Sequence, residues 1–140
     1  MVTPTEGRSP AVLPAALIVD DQPFFTTMLR TVLEQQGFRV FVANSGPDGL
    51  RLAKKNLPDI IVLDIEMPGM DGFTVCQKLR EDADLKNIPV VVLTATNNPK
   101  LNEKAFKAGA DITALKSLSA ERLVNMIRLA LNKGKPAAGV

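Results

Sequence analysis

Histidine, tryptophan and tyrosine are absent from these 140 residues, and cysteine occurs once. Without histidine the chain has no Ser-His or Cys-His catalytic pair, no imidazole metal ligand and no phosphohistidine relay residue. A single cysteine rules out an internal disulfide and a multi-cysteine zinc site. Six Phe are the whole aromatic complement, so the core is expected to be aliphatic. No basic stripe with interleaved aromatics offers a stacking platform for single strands, and a net charge of +2 is too small to argue for nucleic acid. No apolar run approaches the roughly 18 residues that a membrane span needs. The stretch Ala11 to Val19 contains Pro14 and runs into Asp20-Asp21, and it lacks the basic start and cleavage site of an export signal. A cytoplasmic location without membrane insertion is the expectation. Any chemistry must run on carboxylates, hydroxyls and lysine.

What the sequence does contain is a repeated alternation of two patterns. The length suits one domain, and 46% apolar with 23% charged residues is ordinary for a globular chain. Residues 1–14 are small, polar and proline-punctuated, and 133–140 read the same way. Residues 15–132 are therefore expected to fold, between a flexible N-terminal tail and a C-terminal tail or linker stub.

Ala16 to Asp20 is a short apolar run ending in acids. Pro23 to Gln36 has helical spacing, with Phe25, Met28, Leu29, Val32 and Leu33 on one side and Gly37 at its close. Arg39 to Ala43 reads as a strand, and Ser45 caps a helix from Pro47 to Asn56. Asp59 to Asp64 is a buried strand and Asp71 to Arg80 a helix. Pro89 to Thr94 is a strand, and Pro99 to Ala108 is a helix ended by Gly109. Asp111 to Leu115 is a weaker strand, followed by an amphipathic helix from Ser119 to Asn132. Five strand–helix units with continuous apolar strands imply a parallel sheet covered on both faces. Right-handed crossovers leave only a few doubly wound α/β orders.

In such sheets the functional crevice lies beyond the carboxyl ends of the strands. The first strand ends in Asp20-Asp21, the third in Asp64, the fourth in Thr94-Ala95-Thr96 and the fifth at Lys116. Taken singly, an Asp there is most often a helix cap, and a threonine or lysine an ordinary surface residue. The conjunction on one rim asks for more. Clustered carboxylates repel unless a cation intervenes, and an oxygen-only ligand set suits Mg²⁺, with positions left open for a phosphoryl ligand. Lysine and a hydroxyl would hold the other phosphoryl oxygens, and a carboxylate can itself be the phosphoryl acceptor.

These residues resemble the receiver domain of two-component response regulators. The resemblance spans 17–132 and rests on four pieces: Leu17 to Asp21; Pro58 to Asp64 with its continuation to Gly72; Ile88 to Ala95; and Lys107 to Asp111 ahead of Lys116. It implies a flavodoxin-like fold, a five-stranded parallel sheet of order 2-1-3-4-5 flanked by five helices. It implies that Asp64 accepts a phosphoryl group from a sensor histidine kinase, a phosphotransfer protein or a small donor. Mg²⁺ would be bound directly by Asp21, mainly through water by Asp20, and by Asp64 and the backbone carbonyl of Glu66. Thr94 and the Ala95 N–H would grip phosphoryl oxygens, and Lys116 would pair with another. Pro68 and Gly72 would shape the loop after Asp64. Glu66 and Thr96 would tune how fast the phosphoryl group is lost, Glu66 either by ordering water or by repelling an anionic donor, unless it is a plain loop acid.

Two positions depart from the family pattern. Thr113 stands where an aromatic switch residue is usual. Ser117 stands where a cis proline usually follows the lysine, and a non-proline cis bond costs about 2.5–4 kcal/mol, so a trans bond is expected. Among smaller features, Cys76 is expected to be a buried, inert thiol. One of Phe24 and Phe25 is expected to pack in the core and the other to cover the site or meet a kinase. Leu129 is expected to point away from the apolar face of the last helix, on a surface used in related proteins for dimerising or docking. The resulting reading is a phosphorylation-controlled signalling switch that catalyses only its own phosphotransfer and dephosphorylation. It would act on a downstream protein or output domain through the face of the fourth helix, fifth strand and fifth helix. A haloacid-dehalogenase-type phosphohydrolase would want an Asp where Glu66 stands, and a cap domain. A flavin carrier would want a Ser/Thr/Gly-rich phosphate loop.

Overall fold

The computed structural model describes residues 13–134. Five strands alternate with five helices: β1 (Ala15–Val19), α1 (Pro23–Gln35), β2 (Arg39–Ala43), α2 (Gly46–Asn56), β3 (Ile60–Asp64), α3 (Gly72–Glu81), β4 (Val90–Thr94), α4 (Pro99–Ala108), β5 (Ile112–Leu115) and α5 (Ala120–Gly134). The strands pair in parallel in the order β2-β1-β3-β4-β5, as the resemblance implies. Most of the expected tails lies outside the described residues. Element boundaries differ from expectation by one or two residues, and the two at the ends of the fold bear on its extent. The Pro14 carbonyl already accepts the Arg39 N–H at 2.8 Å, so the sheet begins there. Helix α5 runs on to Gly134 rather than stopping at Asn132.

Alternation along the strands sorts the core into two layers. Leu17, Val19, Ile61, Leu63, Val90 and Val92 face α2, α3 and α4, where Ala53, Phe73, Val75, Cys76, Leu79 and Ala105 meet them. Ile18, Ile60, Val62, Val91 and Leu93 face α1 and α5, meeting Leu29, Leu33, Leu123 and Ile127. Cys76 is fully buried, and desolvation pushes its thiol up to about 11, as expected of an inert core cysteine. Leu129 is exposed. No helix among the described residues is long and apolar enough to cross a membrane.

The order of strands positions the crevice. Helix α1 leaves β1 toward one layer and α3 leaves β3 toward the other, so the loops that follow these adjacent strands diverge. Asp20-Asp21 and Asp64 stand at that divergence.

Candidate functional site

Asp20 and Asp64 are held by the same local device. Asp20 Oδ1 accepts the N–H of Gln22 at 2.9 Å, and Asp64 Oδ1 accepts the N–H of Glu66 at 3.1 Å. Each is a side-chain turn onto the backbone two residues on, and each leaves Oδ2 free to face the crevice. Asp21 is half-buried beside them, and one carboxylate oxygen from each of Asp20, Asp21 and Asp64 lies within 4.8 Å of the others.

Lys116, one residue past β5, closes the cluster. Its Nζ is 2.8 Å from Asp20 Oδ2 and 3.5 Å from Asp64 Oδ2. It also donates to Gln22 Oε1 and sits 4.7 Å from the centre of the Phe25 ring. Asp20 is wholly buried, and its Oδ2 is the one buried side-chain oxygen or nitrogen among the described residues without a hydrogen bond. The Lys116 contact is an ion-pair distance without hydrogen-bond geometry. A buried carboxylate oxygen with unspent lone pairs, next to two more carboxylates, is the donor chemistry of a hard divalent cation. The residues present fit such an ion.

Burial dominates the protonation of Asp64. Desolvation lifts its pKa from 3.8 to about 6; the Glu66 N–H pulls the other way, Asp20 pushes up and Lys116 pulls down. Metal or lysine charge brought closer to this carboxylate would favour the anion, which is its nucleophilic form.

The loop after Asp64 is fixed by close packing at Gly72. A Cβ there would meet the Asp64 carbonyl oxygen at 2.5 Å and Ile65 Cα at 2.6 Å, both backbone atoms that cannot yield. Asp71 then caps α3, accepting the Thr74 N–H at 2.9 Å. The Glu66 and Pro68 side chains are exposed.

On the other wall, Thr94 is buried, and its hydroxyl donates to the Thr96 carbonyl at 2.9 Å while accepting the Thr96 N–H at 3.3 Å. Ala95 and Thr96 are exposed at the rim. The Lys116 N–H donates to the Thr94 carbonyl at 2.9 Å, which extends the β4–β5 pairing one residue past the Thr94–Leu115 pair. Thr113 is half-buried on β5, opposite Val92. No cis peptide occurs among the described residues, so Lys116–Ser117 is trans as expected.

An open cleft of about 660 Å³ lies against the cluster, between Pro23, Phe24 and Phe25 on one side and Ala95 and Ser117 on the other. Phe24 is 90% exposed at its rim, whereas Phe25 is half-buried against the α1/α5 layer. Phe25 is thus the one of the pair that packs on the core, and both rings border the cleft. The roles of Gln22 and Phe25 beside Lys116 went unread in the sequence. A glutamine at the first position before a helix, where Ser, Thr, Asp or Asn is preferred, was the available signal.

Comparison with known proteins agrees with this geometry. The family model described as "Response regulator receiver domain" matches residues 16–128. The transcriptional regulatory protein AfsQ1 of Streptomyces coelicolor is 37% identical over 123 residues, covering 88% of this chain and 53% of its own. PilH of Pseudomonas aeruginosa is 35% identical over 115 residues, 82% of this chain and 95% of its own. The chain spans about half the length of several of the curated relatives it matches. Among solved structures, the Vibrio cholerae chemotaxis protein CheY4 superposes with a TM-score of 0.82 at 27% identity, over 85% of this chain and 99% of that one. The receiver domain of the Francisella response regulator 1452 gives 0.79 at 29% identity, over 87% and 99%. With its acids, threonine and lysine gathered at the divergence of β1 and β3, and with these matches across nearly all of the described residues, the chain belongs to the response regulator receiver domain family.

Proposed function

We propose that this chain is a phosphorylation switch whose phosphoacceptor is Asp64. The observation that carries the reading is the convergence of Asp20, Asp21 and Asp64 on one point with Lys116 bridging Asp20 and Asp64. In the reaction, an Asp64 oxygen attacks phosphorus, and the bond from phosphorus to the donor's imidazole nitrogen or acyl oxygen breaks, its electron pair leaving with the donor. Asp21, Asp64 and the Glu66 carbonyl would hold Mg²⁺, with Asp20 reaching it mainly through water. The ion would supply charge stabilisation for the phosphoryl oxygens in flight.

The chain's own residues do the rest. Lys116 offers its ammonium to one phosphoryl oxygen, and the Ala95 N–H to another. Thr94 must exchange its acceptor from the Thr96 carbonyl to the phosphoryl group, because a hydroxyl has one proton to give. That exchange releases the β4–α4 loop and biases a two-state equilibrium. Thr113 offers no aromatic ring to follow the movement, so the loop itself is the first carrier of the change. Glu66 and Thr96, both exposed beside the acceptor, stand where they set the lifetime of the phosphoryl group.

The donor in this reading is a sensor histidine kinase, a phosphotransfer protein or a small phosphodonor, and a donor histidine would come from outside this sequence, which has none. The readout is a protein contact, with a downstream protein or an output domain, through α4, β5 and α5, where Phe106 and Leu129 are exposed. Nucleic acid and membrane are not direct partners in this reading, and the working compartment is the cytoplasm. Intact mass after incubation with Mg²⁺ and acetyl phosphate tests it. A gain of one phosphoryl mass, retained in Cys76→Ala and lost in Asp64→Ala, is expected. An equal gain in Asp64→Ala would place the chemistry elsewhere.

A further inference from the structure

Lysine side chains are long and flexible, and an ammonium between two carboxylates has several positions of similar energy. Something must choose one. In this structure Lys116 carries two constraints besides the acids, and both come from the start of α1. The Gln22 side chain accepts from Nζ, and the face of Phe25 lies 4.7 Å from it. Gln22 is the residue before the first turn of α1, and its side chain makes no cap for that helix. Its backbone N–H is instead committed to Asp20 Oδ1. The turn that fixes Asp20 thus also delivers the Gln22 amide to Lys116. Phe25 is half-buried against the α1/α5 layer, and that packing restrains its ring. The Lys116 side chain is only 15% exposed, which strengthens its attraction to the ring.

We propose that Gln22 and Phe25 are positioning residues for Lys116: helix α1, and not β5 alone, sets where the ammonium stands over Asp64. The consequence for phosphoryl transfer rests on the functional reading above, since it takes Lys116 to act on a phosphoryl oxygen. The geometric part does not. In the clamp, the amide oxygen and the ring hold the ammonium on the α1 side, within reach of Asp64 but not seated on it. A phosphoryl group on Asp64 then needs only a short swing of a pre-oriented charge, with little rotamer freedom left to lose.

Proton and carbon NMR of the full chain reads the position directly. The Cε protons of Lys116, assigned by their disappearance in Lys116→Arg, are expected upfield of the other lysines because they lie over an aromatic face. Phe25→Leu keeps apolar bulk and removes the ring, and should return them to the ordinary lysine position. Phe25→Tyr keeps the ring and should restore the shift, and Gln22→Leu should broaden or move it. In the same proteins, the rate of acetyl phosphate incorporation on Asp64 should fall about three- to ten-fold in Phe25→Leu, the size of one partly buried cation–ring contact. It should recover in Phe25→Tyr, with thermal midpoints of the two variants alike. Ordinary Lys116 shifts in the unmodified chain, or shifts indifferent to Phe25→Leu, would overturn the clamp. A lost shift with an unchanged rate would overturn its part in the transfer. If the unmodified chain gained no phosphoryl mass at all, the functional reading would fall while the shifts still judged the clamp.

Discussion

Asp20 and Asp64 show how a buried acid can be fixed without spending both of its oxygens on the backbone. In each, one oxygen is spent on the N–H two residues on, and the other is left to the crevice. For Asp64 the cost of burial exceeds what that N–H and Lys116 return, and the pKa stands at about 6 instead of 3.8. A carboxyl raised in the folded state binds its proton more tightly folded than unfolded. Its ionisation therefore weakens the fold: the loss begins as pH rises past the unfolded value and is complete above about 6. One pKa step corresponds to about 1.4 kcal/mol, so the penalty near neutrality is on the order of 2–3 kcal/mol. Asp64→Asn removes the charge and should be more stable than the parent at pH 7.5 by that order, in chelator. The advantage should shrink as pH falls through 6 and vanish near 4. Urea melts of both proteins across this range check it, and a difference that does not change with pH would mean burial is not what strains Asp64.

At the scale of elements, the ends of the strands were legible because each apolar run stops where a charged or hydroxyl residue begins, as at Val19–Asp20 and Leu115–Lys116. The alternation of patterns gave all five helices and strands for the same reason. Contacts between remote segments were not legible. Gln22 and Lys116 are 94 residues apart, and nothing in the local spacing of either shows the meeting. Arg80 is a second case. On α3 it reads as a basic residue in a last turn, yet its guanidinium donates to the Gly109 carbonyl twice, at 2.9 and 2.7 Å, and to the carbonyls of Lys86 and Ile88. It also donates to Asp111 Oδ2 at 3.0 Å, and that oxygen accepts the Val90 N–H as well. Gly109 ends α4 at φ +115, a conformation that glycine takes readily, and its carbonyl is thereby turned toward α3. One side chain thus ties α3 to the entries of β4 and β5. Arg80→Met keeps the stem and removes the donors, leaving half-buried carbonyls without partners. It should cost about 2–3 kcal/mol in denaturant melts, with Arg80→Lys recovering little, since an ammonium cannot span the fork. A loss below half a kcal/mol in Arg80→Met would show that water replaces the latch.

For the molecule as a whole, the acidic cluster joins segments that, among the described residues, are held together by opposite charge at that end of the sheet through Lys116 alone. Asp20 and Asp21 follow β1, and Asp64 ends β3; the two strands are neighbours, but their loops diverge into opposite layers. A divalent ion held across them would relieve carboxylate repulsion and tie the two layers at one point, so its binding energy becomes global stability. At a free Mg²⁺ concentration about 100 times its dissociation constant, the fold should gain about 2.7 kcal/mol. For a domain of this size that is a rise of about 10 °C in Tm. Asp21→Asn removes one carboxylate charge from the half-buried rim while leaving the turns of Asp20 and Asp64 in place, and should abolish most of the rise. Potassium at matched ionic strength should give little of it in either protein, because screening acts on all exposed charges alike. Equal rises in both proteins would assign the stabilisation to the general surface and remove the cluster as a metal site. A rise confined to the unmodified chain would show that the switch point between β1 and β3 is closed by a cation as well as by Lys116.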